Sequence, residues 1–246
     1  MSEKRIIKTK LLDDLDFSAE SIDKAMSEFK TKKKGDGKRG PFYNVAVDDP
    51  WVFDIDNKKL FQNAVWQGYL DASRTFSGIK EGKTKENPLA FHHLAGSIQR
   101  YFKKDKIEFI HTVWCIDFMD AVREINHYSM RYGQAQKVVN MAFKYLYCCD
   151  GANEYMEKFD RCHMPLDQYT LGWLFLHTGT LYQEWSWFDE KTYNEVAGTI
   201  KDILGSNILG KELVIWQRFS DKNNPVLINL KQKKRGILTY EHIKSD

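Results

Sequence analysis

Cysteine is scarce in this 246-residue chain, and the spacing of its four copies excludes two kinds of metal site. A zinc site or an iron–sulfur cluster needs closely spaced cysteines, such as a C-x-x-C pair, and the sequence contains no such pair. We therefore expect no metal and no cofactor. The thiols are expected to be reduced and buried, as in a cytosolic protein, at Cys115, Cys148, Cys149 and Cys162.

Long apolar segments are also missing. No run approaches the roughly 20 apolar residues that a transmembrane helix needs. The first residues, M-S-E-K-R-I-I-K, lack the apolar core of a signal peptide. The sequence therefore predicts no membrane partner and a cytoplasmic location.

The chain shows no alternation of strands with helices, no glycine-rich phosphate loop, no GxSxG element and no internal repeat. The apolar residues recur with helical periodicity, which predicts an all-α fold. Asp56 or Asn57 can cap a helix, and Pro88 suits a first helical turn. The pattern predicts helices over about 18–29, 57–72, 88–103, 106–114, 117–126, 134–149, 152–159, 166–177, 189–204 and 211–219, with one strand at 226–230.

Charge is nearly balanced, with 37 basic and 34 acidic residues and a net charge of +3, so composition alone does not indicate a polyanionic partner. Two basic runs, 30–39 and 231–235, are either solvated segments or contributors to phosphate binding. We predict a basic, partly flexible extension over 1–45, a helical domain over 46–223 and a basic tail over 224–246. Aromatic residues make up 14%, a surplus that suits stacking of flat ligands.

One lysine is placed unusually. Lys137 lies in the first turn of a predicted helix, where the positive end of the helix dipole disfavours a cation. The Tyr132–Gly133 pair before it breaks the helical pattern, and backbone N–H groups at such a break can hold a phosphate. Further on, M-P-L-D places Asp167 at a helix N-terminus. Singly, Lys137 can be a surface lysine and Asp167 a plain N-cap; together they indicate a site.

The segment from G-Q-A-Q-K-V-V-N through H-M-P-L-D-Q resembles the helix–hairpin–helix DNA glycosylases, and most of all the archaeal 8-oxoguanine branch. Lys137 and Asp167 are 30 positions apart (167 − 137 = 30), which suits that branch, and E-L-V-I-W places an acidic residue four before a tryptophan. The resemblance covers about 57–220 and implies a bundle in two lobes with a pocket between them. Three departures are a missing second glycine in the hairpin, Glu212 where an aspartate is expected, and a W-S-W-F stretch without a counterpart.

The resemblance implies a role for each matching residue. Lys137 corresponds to the Schiff-base nucleophile, and Asp167 to the aspartate that activates it and stabilises the sugar cation. The base pocket would include Gln67, Pro165, Glu212 and Trp216. Contacts with DNA are expected from Tyr132, Gly133, Gln134, Gln136 and Lys144, the last facing solvent or phosphate. Of the tryptophans at 185 and 187, we expect one in the core and one exposed, where it could wedge into DNA.

These roles imply a monomeric DNA glycosylase of the nucleoid that flips and excises a modified base, with 8-oxoguanine as the default and AP lyase activity through the lysine. Two alternatives remain open. One is excision of a different modified base, for example from modified phage DNA in a defence role. The other is a non-catalytic nucleic-acid-binding relative of the same fold.

Overall fold

A computed structural model describes residues 15–34, 51–76, 89–104, 108 and 110–220 of the chain. Within these ranges there are nine α-helices and no strand, which confirms the all-α prediction. Short 3₁₀ turns occupy Ser73–Thr75, Ala152–Tyr155 and Trp185–Trp187. The helices are α1 (Ala19–Lys34), α2 (Lys58–Ala72), α3 (Leu89–Lys103), α4 (His111–Asn126), α5 (Tyr132–Tyr147), α6 (Met156–Phe159), α7 (Gln168–Thr178), α8 (Glu190–Leu204) and α9 (Ile208–Phe219).

Helix α5 lies at the centre, and each of its 16 residues is buried. It packs against α2, α4, α8, α9 and the Trp185–Trp187 turn. Its closest neighbour is α2, where Gly68 permits the approach because a Cβ there would lie 2.6 Å from Val138 O. A helix enclosed on all sides can carry polar residues only if each finds a partner inside the protein.

The N-terminal helix belongs to the same core, contrary to the prediction that residues 1–45 form a partly flexible extension. Helix α1 packs against α9 and buries Ile22, Ala25 and Phe29. Polar contacts add to this packing, since Gln217 Nε2 donates to Glu28 Oε2 at 2.6 Å. The predicted boundary at residue 45 therefore does not separate α1 from the helical domain.

Local capping explains where several helices begin. The Asn57 side chain, one of the two predicted caps, accepts from the amides of Lys59 and Leu60. Asp189 caps α8 by accepting from the amide of Thr192. Helix α9 begins three residues before the predicted start, because Asn207 caps it by accepting from Gly210 N.

Two predictions of helix boundaries were wrong. The predicted gap between the ranges 106–114 and 117–126 is helical, because α4 runs without a break over His111–Asn126 and its buried Cys115, Phe118 and Val122 keep helical spacing across it. The helix break lies before Arg131 and not at Tyr132–Gly133, since α5 already begins at Tyr132. Pro88, the strand at 226–230 and the tail from 224 lie outside the described residues.

All four cysteines are buried and none forms a disulfide. Burial raises the pKa of the Cys148 thiol to about 12, which makes it a poor nucleophile. No helix in the described ranges is long and apolar enough to cross a membrane.

Candidate active site

A cavity of about 750 Å³ opens where α1, α5, α7 and α9 meet two of the short turns. Its walls combine aromatic rings with charged side chains of both signs, the composition of a site for a flat polar ligand. The lining residues are Phe29, Lys32, Asp71, Arg74, Thr75, Lys137, Met141, Lys144, Asp167, Gln168, Tyr169, Glu184, Trp185, Trp216 and Ser220.

Lys137 and Asp167 meet on the wall of this cavity. Lys137 Nζ donates to Asp167 Oδ2 at 2.6 Å, and the two side chains are only 6% and 13% exposed. The other carboxylate oxygen, Oδ1, accepts from the amides of Tyr169 at 2.8 Å and Thr170 at 3.2 Å. Asp167 is therefore both the N-cap of α7 and the ion-pair partner of Lys137.

The Asp167 carboxyl is held in its charged form. Burial alone would raise its pKa, but the charge of Lys137, the hydrogen bond from that lysine and the Thr170 amide together keep the pKa below its usual value. A carboxylate therefore faces the cavity at neutral pH, next to an amine.

Gln136 and Asn140 fix the loop that carries Asp167. Gln136 accepts from Leu166 N at 3.2 Å and donates to Leu166 O at 3.0 Å, while Asn140 Nδ2 donates to Met164 O at 3.0 Å. Gln136 is fully buried, so the predicted contact with DNA does not fit its position. Sequence reasoning missed Asn140, although a polar residue one turn after Lys137 within an apolar helix was a usable signal.

Three further residues predicted to contact DNA face the protein interior. Gly133 N donates to Phe188 O at 2.9 Å, so this amide already has a partner and is not available to a phosphate. Gln134 is 1% exposed and donates to Thr75 O at 2.6 Å. Tyr132 is 5% exposed. The start of α5 therefore supports neighbouring turns and does not itself form a surface for DNA.

Substitution of Gly133 by alanine is expected to lower the free energy of unfolding by about 3 kcal/mol or more, because the new Cβ would lie 2.0 Å from Trp185 O, a backbone atom that cannot yield cheaply. Gly198→Ala in α8 is the matched control, since nothing lies within 4 Å of its Cβ position. That variant should gain about 0.5–1 kcal/mol. Urea unfolding checks both values, and equal stabilities of the two variants would contradict the packing argument.

A second buried ion pair joins Lys144, which lines the cavity, to Glu212, which does not. Lys144 Nζ lies 2.5 Å from Glu212 Oε2, and each side chain is 1% exposed. The prediction that Lys144 faces solvent or phosphate was therefore wrong. Burial raises the pKa of Glu212, and the charge of Lys144 opposes this only in part. The Lys144 ammonium also lies 4.5 Å from the Phe29 ring centroid and 5.3 Å from that of Trp216.

Replacing Lys144 with methionine should leave Glu212 as an uncompensated buried charge and lower the free energy of unfolding by about 3–5 kcal/mol. The double variant Lys144→Met/Glu212→Leu should recover most of this loss. Lys30→Met is the control, because its partner Asp150 is 65% exposed and such a surface pair contributes less than about 1 kcal/mol. A double variant no more stable than the single one would argue against the pairing.

Aromatic rings occupy one end of the cavity. Trp216 lines it, and the ring of Phe29 meets the indole edge-on with centroids 5.1 Å apart. Lys32 Nζ lies 4.8 Å from the Trp216 centroid. The predicted place of Trp216 in a pocket wall agrees with this position, whereas Phe29 was missed because α1 was assigned to the extension.

Three of the four residues predicted for the base pocket do not line the cavity, namely Gln67, Pro165 and Glu212, the last of which is buried in its pair with Lys144. Gln67 is half-buried on α2 and is not among the lining residues. Pro165 is buried beneath the Asp167 turn, where its carbonyl accepts from Thr170 Oγ1 at 3.3 Å. None of these three side chains lines the cavity, so only Trp216 of the predicted base pocket does.

Trp185 and Trp187 divide as the sequence predicts. Trp185 is partly buried and lines the cavity, while Trp187 is 56% exposed.

Comparison of the chain with protein-family models, with curated proteins and with solved structures finds no match.

Proposed function

We propose that this protein is a DNA glycosylase that receives a flipped modified base in the cavity and cleaves its bond to the sugar. The observation that carries the proposal is the buried Lys137–Asp167 pair, an amine and a carboxylate 2.6 Å apart on the wall of a cavity that also presents Trp216. The helix arrangement is proposed to be of the helix–hairpin–helix glycosylase type, in two lobes with the cavity between them. The same proposal implies a monomer acting on DNA in the cytoplasm.

The chemistry requires an anion beside a developing cation. As the bond from C1′ to the base breaks, positive charge builds on the sugar, and the Asp167 carboxylate stabilises it in a partly desolvated site. The departing base takes the bonding electron pair and a proton. Trp216 offers a ring on which the flipped base can stack.

Lys137 supplies the nucleophile. Its ammonium passes a proton through Asp167 to the departing base, so the carboxylate is charged again, and the free amine forms a bond to C1′. Ring opening of the sugar then yields an imine between Nζ and C1′. Loss of a proton from C2′ breaks the C3′–O bond by β-elimination, and hydrolysis of the imine regenerates the lysine.

A second candidate substrate follows from the size of the cavity. Sites of about 300–1,000 Å³ bury ligands of drug size, and the volume of about 750 Å³ lies in the upper part of that range. By resemblance the default base is 8-oxoguanine. A cavity of this volume also admits the alternative, a base that carries a larger polar substituent.

The deciding experiment is mass spectrometry of bases released from duplexes that each carry one modified base, and from genomic and phage DNA. The panel includes 8-oxoguanine and pyrimidines with large substituents. Asp167→Asn protein, purified in parallel, controls for contaminating glycosylases. Release of one base by the wild type alone supports the proposal. Release of none would refute it and favour a non-catalytic nucleic-acid-binding protein.

A further inference from the structure

Hydrogen bonds from the buried start of α5 hold two 3₁₀ turns in place, Ser73–Thr75 and Trp185–Trp187. Gln134 Nε2 donates to Thr75 O at 2.6 Å and holds the first turn. Gly133 N donates to Phe188 O at 2.9 Å and holds the residue that follows the second. A side chain at Gly133 would collide with Trp185 O, so the chain there admits only glycine at this contact distance.

Each turn has one side on the cavity and another in solvent. Arg74 and Trp185 line the cavity, whereas Trp187 is 56% exposed. The guanidinium carbon of Arg131 lies 3.2 Å from the Trp187 ring centroid, in a cation–π contact. Both arginines are exposed. A solvent-facing tryptophan with an arginine on its ring is not explained by the packing of the core.

We propose that these two anchored turns, together with Arg131 on the Trp187 ring, form the DNA-binding rim of the cavity. Arg74 and Arg131 bind backbone phosphates, and Trp187 stacks on a base beside the flipped nucleotide. This inference rests on the proposed glycosylase function, because a nucleotide inside the cavity remains attached to a strand that must cross the rim. The rim replaces the interface that the sequence predicted at Tyr132, Gly133 and Gln134.

The chemistry of the rim fits this occupant. Guanidinium groups form bidentate hydrogen bonds with phosphate oxygens, and an indole stacks on any base because every base has a π-face. Glu184, which also lines the cavity, repels phosphate. It therefore favours an uncharged base over a phosphate next to the second turn. Turns that are already fixed lose little conformational entropy on binding.

The phosphate contacts of Arg74 and Arg131 are tested by measuring how tightly the protein binds a short duplex that carries a tetrahydrofuran abasic analogue. Fluorescence anisotropy over a KCl series gives the binding constants. Arg74→Gln and Arg131→Gln should each weaken binding and reduce the slope of log K against log salt by about 0.9, the value for one lost phosphate contact. Arg123→Gln is the control, since this exposed arginine of α4 pairs with Asp120. Wild-type slopes in both rim variants would overturn the proposal.

The stacking role of Trp187 is tested by comparing the rate of base release from double-stranded and single-stranded substrates. Trp187→Ala should slow base release from a duplex on the order of 10- to 100-fold, the range expected for one lost base–aromatic stack. Release of the same base from a single strand should change less than about 2-fold, because no gap in a duplex has to be filled. Leu89→Ala, which removes another exposed apolar side chain, is the control. Equal losses on both substrates would refute the stacking role.

The experiments distinguish an error in the proposed rim from an error in the proposed glycosylase function, because anisotropy measures DNA binding whether or not a base is released. Binding that depends on the rim without release of any base would refute the enzyme and retain the rim. Base release together with unaltered binding and turnover in the rim variants would refute the rim alone. Absence of binding to either form of DNA by the wild type would overturn both.

Discussion

Lys137→Ala is expected to abolish the covalent adduct that sodium borohydride traps between the protein and DNA carrying the excised base. Borohydride reduces an imine to a stable amine, so only a lysine bonded to C1′ is captured. Lys137 is the amine in contact with Asp167, at 2.6 Å. Denaturing gel electrophoresis of the trapped complex measures the effect. Adduct formation by the alanine variant at the wild-type level would show that Lys137 is not the nucleophile.

Two companion variants locate the nucleophile. Lys137→Arg keeps a cation opposite Asp167 but cannot form the imine, because guanidinium stays protonated, so it should also trap nothing. Lys144 is the other buried lysine of the cavity, bound to Glu212. The double variant Lys144→Met/Glu212→Leu should still trap if it folds. Its failure to trap with folding intact, together with trapping by Lys137→Ala, would transfer the nucleophile to Lys144.

Asp167→Asn is expected to slow base release on the order of 10²- to 10⁴-fold while binding to DNA persists. Asparagine is as good an N-cap as aspartate, so it can still accept from the Tyr169 and Thr170 amides at the start of α7. The negative charge that stabilises the sugar cation is lost. Single-turnover kinetics measure the rate, and anisotropy measures the binding.

Asp189→Asn is the matched control, because Asp189 caps α8 by accepting from Thr192 N at 2.8 Å. The same chemical change at a cap that does not line the cavity should leave base release unaltered. Unchanged turnover in Asp167→Asn would remove this residue from the mechanism. An equal loss in both variants would show that the effect arises from helix capping.

Much of the helical architecture was predictable because its signals are local. Apolar spacing and cap residues such as Asn57 and Asp189 lie within a few positions of the helix they specify. The split of α4 into two helices failed, since no proline or glycine breaks the chain between 111 and 126. The pairing of Lys137 with Asp167 was also accessible, but through the resemblance, because aspartate is an ordinary N-cap and Lys137 lies in the second turn of α5.

The direction of polar side chains on α5 was not predictable in the same way. Gln134, Gln136 and Lys144 are all buried, and each is satisfied by a partner distant in the sequence. For Lys144 that partner is Glu212, and for Gln136 it is the backbone of Leu166. A polar residue inside an enclosed helix and one on a surface helix give the same local pattern.

The sequence by itself determined that this chain forms helices and that Lys137 and Asp167 merit attention as a pair, because periodicity, capping and unusual placement are properties of short segments. The tertiary structure alone decided that Phe29 of α1 and the buried Lys144 line the cavity, and that Arg74 and Trp187 are exposed. The physical reason is that burial depends on what packs around a residue, and the elements that enclose α5 come from both ends of the described chain.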